Sequence, residues 1–307
     1  MSSSPQAPGL PPSPVPVHAG KVRALYPAGP DRLVMVASDR ISAFDVVLAE
    51  PIPDKGRVLT ATTAYWFEAL ATEVPGTFLT ADPLEIAHAL PGAASLGDIA
   101  GRAMLVRRAQ MIPLECIVRG YLAGQAYSEY EESGTVHGTP LPPGLRRCDR
   151  LPEPMFTPST KAAQGHDQNI SFSEATQIVG ADIAETVREL SLTIYRRAAA
   201  RAEEVGLVLA DTKFEFGIVE GAVALCDEVV TPDSSRIWPA DQVVVGEVPP
   251  SLDKQPVRDW LADSGWDRTP PPPALPPEVV TETSRRYVTA YERLSGRALS
   301  QWYGARP

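Results

Sequence analysis

The chain is poor in cysteine: its 307 residues hold three, Cys116, Cys148 and Cys226, with no CxxC spacing. The odd number argues against a disulfide framework or a structural zinc site and points to a reducing compartment. No run approaches the ~20 apolar residues of a membrane span. The N-terminus lacks a basic stretch followed by an apolar one, so no secretory leader is expected. Basic charge is also short. The 28 Lys and Arg against 38 Asp and Glu leave a net charge of −10, which argues against a basic nucleic-acid-binding surface. The glycine-rich nucleotide loops are missing as well: there is no GxxxxGK followed by Ser or Thr, and no GxGxxG. The expectation is a cytoplasmic enzyme, with no nucleic-acid or membrane partner. Whether it is a monomer or a homo-oligomer is open.

An apolar fraction of 44% and a charged fraction of 21% are those of a globular protein, and this length suggests two domains. Residues 1–16 are Ser- and Pro-rich and read as a disordered tail. Val22 to Tyr26 and Leu33 to Ser38 read as strands around a turn, Thr60 to Ala71 as a helix, and Met104 to Arg107 and Glu115 to Tyr121 as further strands. The first domain is expected to end near Pro113. Gln125 to Ser133 reads as a short helix stopped at Gly134, and residues 138–160 as a Pro-rich loop. Ser171 and Glu174 form a capping-box pattern that opens a helix running to Glu204, broken or kinked at Gly180 and capped at Gly206. Pro270 to Pro277 is a stiff spacer before a last helix from Glu278 to Gly296. Without a regular βαβ rhythm the class is α+β.

Residues 209–238 carry the densest chemistry. Asp211, Lys213 and Glu215 alternate with Phe214, Phe216 and Ile218, so a strand there puts charge on one face and apolar groups on the other. Magnesium takes one or two protein carboxylates together with water and phosphate oxygens. Glu215 and Asp227 are candidates for that role, with Lys213 as phosphate partner. A two-residue turn at Glu220–Gly221 sends Asp227 to the apolar face. A three-residue loop, Val219 to Gly221, pairs 213 with 227 and puts Asp227 beside Glu215. Burying Asp227 against Phe214 unpaired would cost roughly several kcal/mol, so the three-residue register is predicted. Beyond it, Asp233, Ser234, Ser235 and Arg236 form a turn suited to a phosphate or carboxylate.

Four other segments hold candidates. In GKVRALY, Lys21 and Arg23 share a strand face and can hold phosphate oxygens; a solvated strand face is the alternative. In SDRISAFD and the following PDKG, Asp45 and Lys55 either face a substrate or serve structural turns. In CIVRGYLAGQAY, Arg119 ends an apolar strand before Gly120 and Gly124, which makes an anion pocket with the start of the next helix; pairing with a structural acid is the alternative. In FTPSTKAAQGHDQNIS, Lys161, His166 and Asp167 lie in a polar loop. The adjacent His166 and Asp167 do not face one another as a catalytic dyad would, so substrate contact or capping of the next helix is preferred.

Together GKVRALY, SDRISAFD, ECIVRGYLAG, STKAAQGHDQNIS, DTKFEFG, CDEVVTPDSSRIW and SLDKQPVRDWL, in this order, resemble the SAICAR synthetase family of purine nucleotide biosynthesis, from about residue 18 to 263. The resemblance implies a two-domain α+β fold distantly like protein kinases and ATP-grasp enzymes. It places an ATP cleft between a small β-rich nucleotide-phosphate-binding domain, 17–112, and a larger substrate- and metal-binding domain, 113–307. It implies an ATP-dependent ligase that joins L-aspartate to the carboxylate of a carboxyaminoimidazole ribonucleotide through an acyl phosphate, with Mg2+. By the same resemblance Lys21, Arg23, Lys213 and Glu215 attend the nucleotide, Glu215 and Asp227 the metal, and Lys213 and Asp227 the chemistry. Arg119 and Arg236 grip the ribonucleotide. Asp45, Lys55, Lys161, His166, Asp167, Asp233 and Ser235 line the substrate side. The chain departs from the family at Gln125, where a Ser usually follows the Ala-Gly pair; the Gln amide also donates, from a longer side chain. A kinase-like phosphotransferase and an inactive nucleotide-binding module are the competing readings.

Overall fold

In the β2–β3 hairpin (Arg23–Pro27, Arg32–Ala37) a polar turn around Gly29, at φ 98°, joins two strands of apolar residues. In this computed structural model, which describes residues 13–161 and 168–303, that hairpin is part of a five-stranded antiparallel sheet. The sheet's order is β1-β2-β3-β7-β6, with β1 at His18–Ala19, β6 at Phe78–Thr80 and β7 at Ala103–Arg107. A small hairpin, β4 (Ser42–Ala43) and β5 (Val46–Val47), turns through Phe44 and Asp45, both at positive φ.

Helix α1 runs over Lys55–Leu70, five residues earlier than its apolar period suggests. Lys55, Gly56 and Arg57 look like a polar turn in sequence, yet all three are buried. Each finds a partner: the Gly56 amide donates to Asp39 Oδ1, Lys55 pairs with Asp233, and Arg57 pairs with Asp54 and Asp98. Tertiary pairing overrides local preference here. Helix α2 (Pro83–Ala89) is capped by Asp82, whose carboxylate accepts from the amides of Leu84 and Glu85.

The chain then crosses from β7 into a second sheet through β8 (Gln110–Met111). That sheet is built on β14 (Leu207–Val219), flanked by β9 (Leu114–Tyr121) on one edge. Strand β12 (Arg150–Phe156) and β13 (Ser159–Thr160) extend it beyond β9, while β15 (Ala222–Cys226) and β16 (Ser235–Pro239) pair with β14. The expected loop over 138–160 therefore contains a strand. Pro152 and Pro154 hid it: they have no N–H to donate, and the ladder with β9 is interrupted between Arg150 and Met155. Helix α3 (Gln125–Ser133), a two-strand hairpin β10 (Thr135–Val136) and β11 (Thr139–Pro140), and helices α4 (Phe172–Val179) and α5 (Ala181–Glu204) complete this half. The capping box at Ser171 and Glu174 forms, and Gly180 separates α4 from α5. The main core lies between α5, β9 and β14, around Ile194, Phe214 and Phe216.

Helix α6 (Gln255–Asp263) precedes the proline run, which is anchored as well as stiff. Leu275 is buried against Ile41 and Ile52, and its amide donates to Glu50 Oε2. Helix α7 (Pro277–Ser295) then packs Tyr287 and Tyr291 onto Val58 and Leu59 of α1. The three cysteines are buried and unpaired. No helix among the described residues is long and apolar enough to cross a membrane.

The β14–β15 register differs from expectation. Val219 pairs with Ala222 and Glu215 with Cys226, a two-residue turn at Glu220–Gly221. Both turn residues sit at positive φ, 51° and 83°, the pattern of a twisted two-residue hairpin. Asp227 nevertheless avoids the apolar face, because the strand stops at Cys226 and Asp227 turns away at φ 55°. The chain leaves the sheet there and rejoins it at Ser235 opposite Thr212. Among the described residues, no atom beyond its immediate chain neighbours lies within 4 Å of a Cβ built on Gly221. Gly221→Ala is therefore expected to lower stability by about 1–2 kcal/mol through backbone strain alone, read as a lower urea midpoint at unchanged slope.

Candidate functional site

Strand β14 carries its charges between two cavities. One, of about 490 Å³, opens between the small sheet and the β14–β15 hairpin, with Leu25, Met35, Val106 and Met111 as apolar walls and Arg23, Lys161, Glu215 and Asp227 among its polar lining. The other, of about 290 Å³, lies on the side of β9 and the 232–236 turn and is lined by Arg119, Lys213, Asp233, Ser235 and Arg236. Lys213 and Glu215 are two residues apart on one strand face and their charged groups approach to 3.7 Å, so the two cavities adjoin along β14.

Most predicted cations here meet a carboxylate. Lys161 pairs with Glu215, and Lys213 donates to Glu115 Oε1 at 2.6 Å. Burial pulls the Lys213 ammonium down, but Glu115 and Glu215 outweigh it and raise its pKa above the ordinary value. Arg23 bridges Asp227 at 3.3 Å and Glu228 at 2.5 Å; these acids likewise overcome desolvation and raise it. Lys21 reaches Asp45 at 2.5 Å on the exposed rim of the larger cavity.

Asp211, the one acid of β14 to which sequence reasoning gave no role, receives both Arg119 (Nη1 to Oδ2, 2.9 Å) and Arg236. Arg119 also donates from Nε to Thr157 Oγ1 at 3.1 Å. Burial depresses Arg119, whereas Asp211 raises Arg236. Gly124 makes room for this arrangement: it sits at φ 58°, and a Cβ there would lie 2.4 Å from Arg236 Nη2. Gln125 follows it, exposed at the first position of α3. Ser235 is buried and donates to Thr212 Oγ1.

Lys55 is the clear departure. Its side chain is wholly buried, and Nζ donates to Asp233 Oδ2 at 2.6 Å, so it backs the second cavity instead of facing a substrate. Asp45, too, faces the exposed rim through its pair with Lys21. His166 and Asp167 lie outside the described residues. Sequence reasoning passed over Glu115 and Glu228, and also Asp253 and Arg258, which line the second cavity. Glu115 and Glu228 stood within the segments ECIVRGYLAG and CDEVVTPDSSRIW, and their cationic partners Lys213 and Arg23 are distant in sequence.

The family model for SAICAR synthetase matches residues 16–273. A phosphoribosylaminoimidazole-succinocarboxamide synthase from Saccharopolyspora erythraea is 52% identical, over 93% of this chain and 95% of its own length. Among solved structures, the SAICAR synthase of Saccharomyces cerevisiae complexed with SAICAR superposes with a TM-score of 0.84 at 41% identity, covering 93% of this chain and 96% of that one. A SAICAR synthetase in complex with ADP, 23% identical, shares the fold at a TM-score of 0.68, over 92% of this chain and 98% of that one.

Removing Asp211 would leave the guanidinium of Arg119, 5% exposed, without its carboxylate. Asp211→Ala is expected to destabilise the protein by about 3–5 kcal/mol, measured by urea unfolding.

Proposed function

This chain belongs to the SAICAR synthetase family, and we propose that it joins L-aspartate to the carboxylate of 5-amino-1-(5-phosphoribosyl)imidazole-4-carboxylate, releasing SAICAR, ADP and phosphate. The observation that carries this reading at the site is the charged face of β14, Lys213 and Glu215, set between an apolar-walled cleft and an arginine-lined pocket. Such a division suits a reaction in which ATP and a phosphorylated acid must meet. The division of the chain into residues 17–112 and 113–307 belongs to the same reading.

In this reading the walls at Leu25, Met35, Val106 and Met111 take the adenine, and Lys21, Arg23 and Lys161 take the phosphates. Arg119, Arg236 and the start of α3 at Gln125 hold the ribonucleotide phosphate, with Ser235 and Asp233 beside them. A carboxylate oxygen of the ribonucleotide attacks the γ-phosphorus of ATP, and ADP departs. The aspartate amine then attacks the acyl carbon, phosphate leaves with the former carboxylate oxygen, and the amine gives up a proton. Lys213, kept protonated by its neighbours, is the cation this reading assigns to the charge that gathers on the transferring phosphoryl group.

Glu215 and Asp227 suit magnesium as two carboxylates lining one cleft. Among the described residues no group of three or more His, Cys, Asp or Glu forms a cage for a metal ion. The donor set fits an ion that takes its remaining ligands from phosphate and water. When bound, the ion would supply charge neutralisation at the phosphate groups.

The test is ADP release that requires both aspartate and the carboxylated ribonucleotide; release without aspartate favours a kinase-like phosphotransferase instead. Asp227→Ala is expected to lower kcat about 10²–10³-fold in a folded protein, since Arg23 keeps Glu228 as partner. Near-normal turnover would remove Asp227 from the site.

A further inference from the structure

Asp233 stands in the wall of the second cavity, yet both its carboxylate oxygens are engaged from behind. Oδ2 accepts from Lys55 of α1, and Oδ1 accepts from the hydroxyl of Tyr287 in α7 at 2.6 Å. Lys55 and Tyr287 are each 0% exposed, and the Lys55 ammonium lies 5.9 Å from the centre of the Tyr287 ring. Two helices distant in sequence thus converge on one carboxylate. Tyr287 lies beyond residues 16–273, the span of the family match.

The turn that carries Asp233 is also tied to β14. Lys213 donates its amide to the carbonyl of Ser234 at 2.9 Å, and the Ser234 amide donates to the Thr231 carbonyl at 3.1 Å. Ser235 and Arg236 follow at once, the latter bound to Asp211. A shift of Asp233 is therefore passed to the backbone beside Lys213 and to the guanidinium of Arg236.

We propose that Tyr287 is a positioning residue for the ribonucleotide pocket: its hydroxyl, with Lys55, fixes Asp233 and so the 231–236 turn that presents Ser235 and Arg236. The inference rests on the ligase reading above. The proton inventory agrees with it. Burial opposes ionisation of Asp233, but Lys55, Lys254 and the Tyr287 hydroxyl together outweigh that and hold its carboxyl well below the usual range. Burial and the neighbouring Asp233 charge keep the Tyr287 phenol protonated, which fixes it as donor.

Tyr287→Phe removes the hydroxyl and keeps the ring that packs on α1. Tyr291→Phe is the control: it lies one turn further along α7 in the same buried cluster and makes no contact with the 231–236 turn among the described hydrogen bonds. Calorimetric binding and steady-state kinetics are measured for wild type and both variants, after urea unfolding has shown each to be folded. The expected result for Tyr287→Phe is a ribonucleotide Kd and KM raised about tenfold, as for loss of one hydrogen bond to a charged group. ATP affinity is expected to stay within twofold, and Tyr291→Phe to match wild type. Unchanged ribonucleotide affinity in Tyr287→Phe, equal weakening of both ligands, or the same effect from Tyr291→Phe would overturn the inference while leaving an active wild type as a ligase. A wild type that neither binds the ribonucleotide nor turns over would bring down the functional reading, and this inference with it.

Discussion

A thirteen-residue strand that buries Phe214 and Phe216 on one face must find partners for Asp211, Lys213 and Glu215 on the other, and the rest of the site is arranged around that demand. Charges held away from water are tolerated only when paired. Each is answered from another element: Asp211 by Arg119 of β9 and Arg236 of β16, Lys213 by Glu115 of β9, Glu215 by Lys161 after β13. The partners come from both flanks of β14, so the pairing that makes the strand affordable also draws the walls of two cavities together.

The acids Glu115, Glu215, Asp227 and Asp211 pair with the cations Lys213, Lys161, Arg23 and Arg119. In a chain of net charge −10, these cations form a local basic cluster within an acidic whole.

Segments that leave and rejoin the sheet matter as much as the strands. Between Cys226 and Ser235 the chain swings out of the ladder and back, with Asp227 at φ 55° and Val230 at φ 47°. Val230 is fully buried in the main core, and that packing over-determines a backbone conformation that a β-branched residue alone would avoid. The excursion sets Asp227 at the larger cavity and Asp233 at the smaller, so one loop serves both.

Local pattern was enough for much of this. Period-two alternation marked β14, the capping box marked the start of α4, Gly134 and Gly296 marked helix ends, and the acids and cations of the site stood out by type and spacing. These are signals a residue and its near neighbours carry on their own. What they could not carry were partners distant along the chain. The role of Asp211 depends on Arg119, 92 residues earlier, and the burial of Lys55 on Asp233, 178 residues later. Asp227 faces the cleft through a break in the strand, not through the longer loop that a local energy argument favoured. The sequence by itself determined which faces were charged and which apolar; only the tertiary structure decided which charges met, because pairing depends on distances through space that spacing along the chain does not encode.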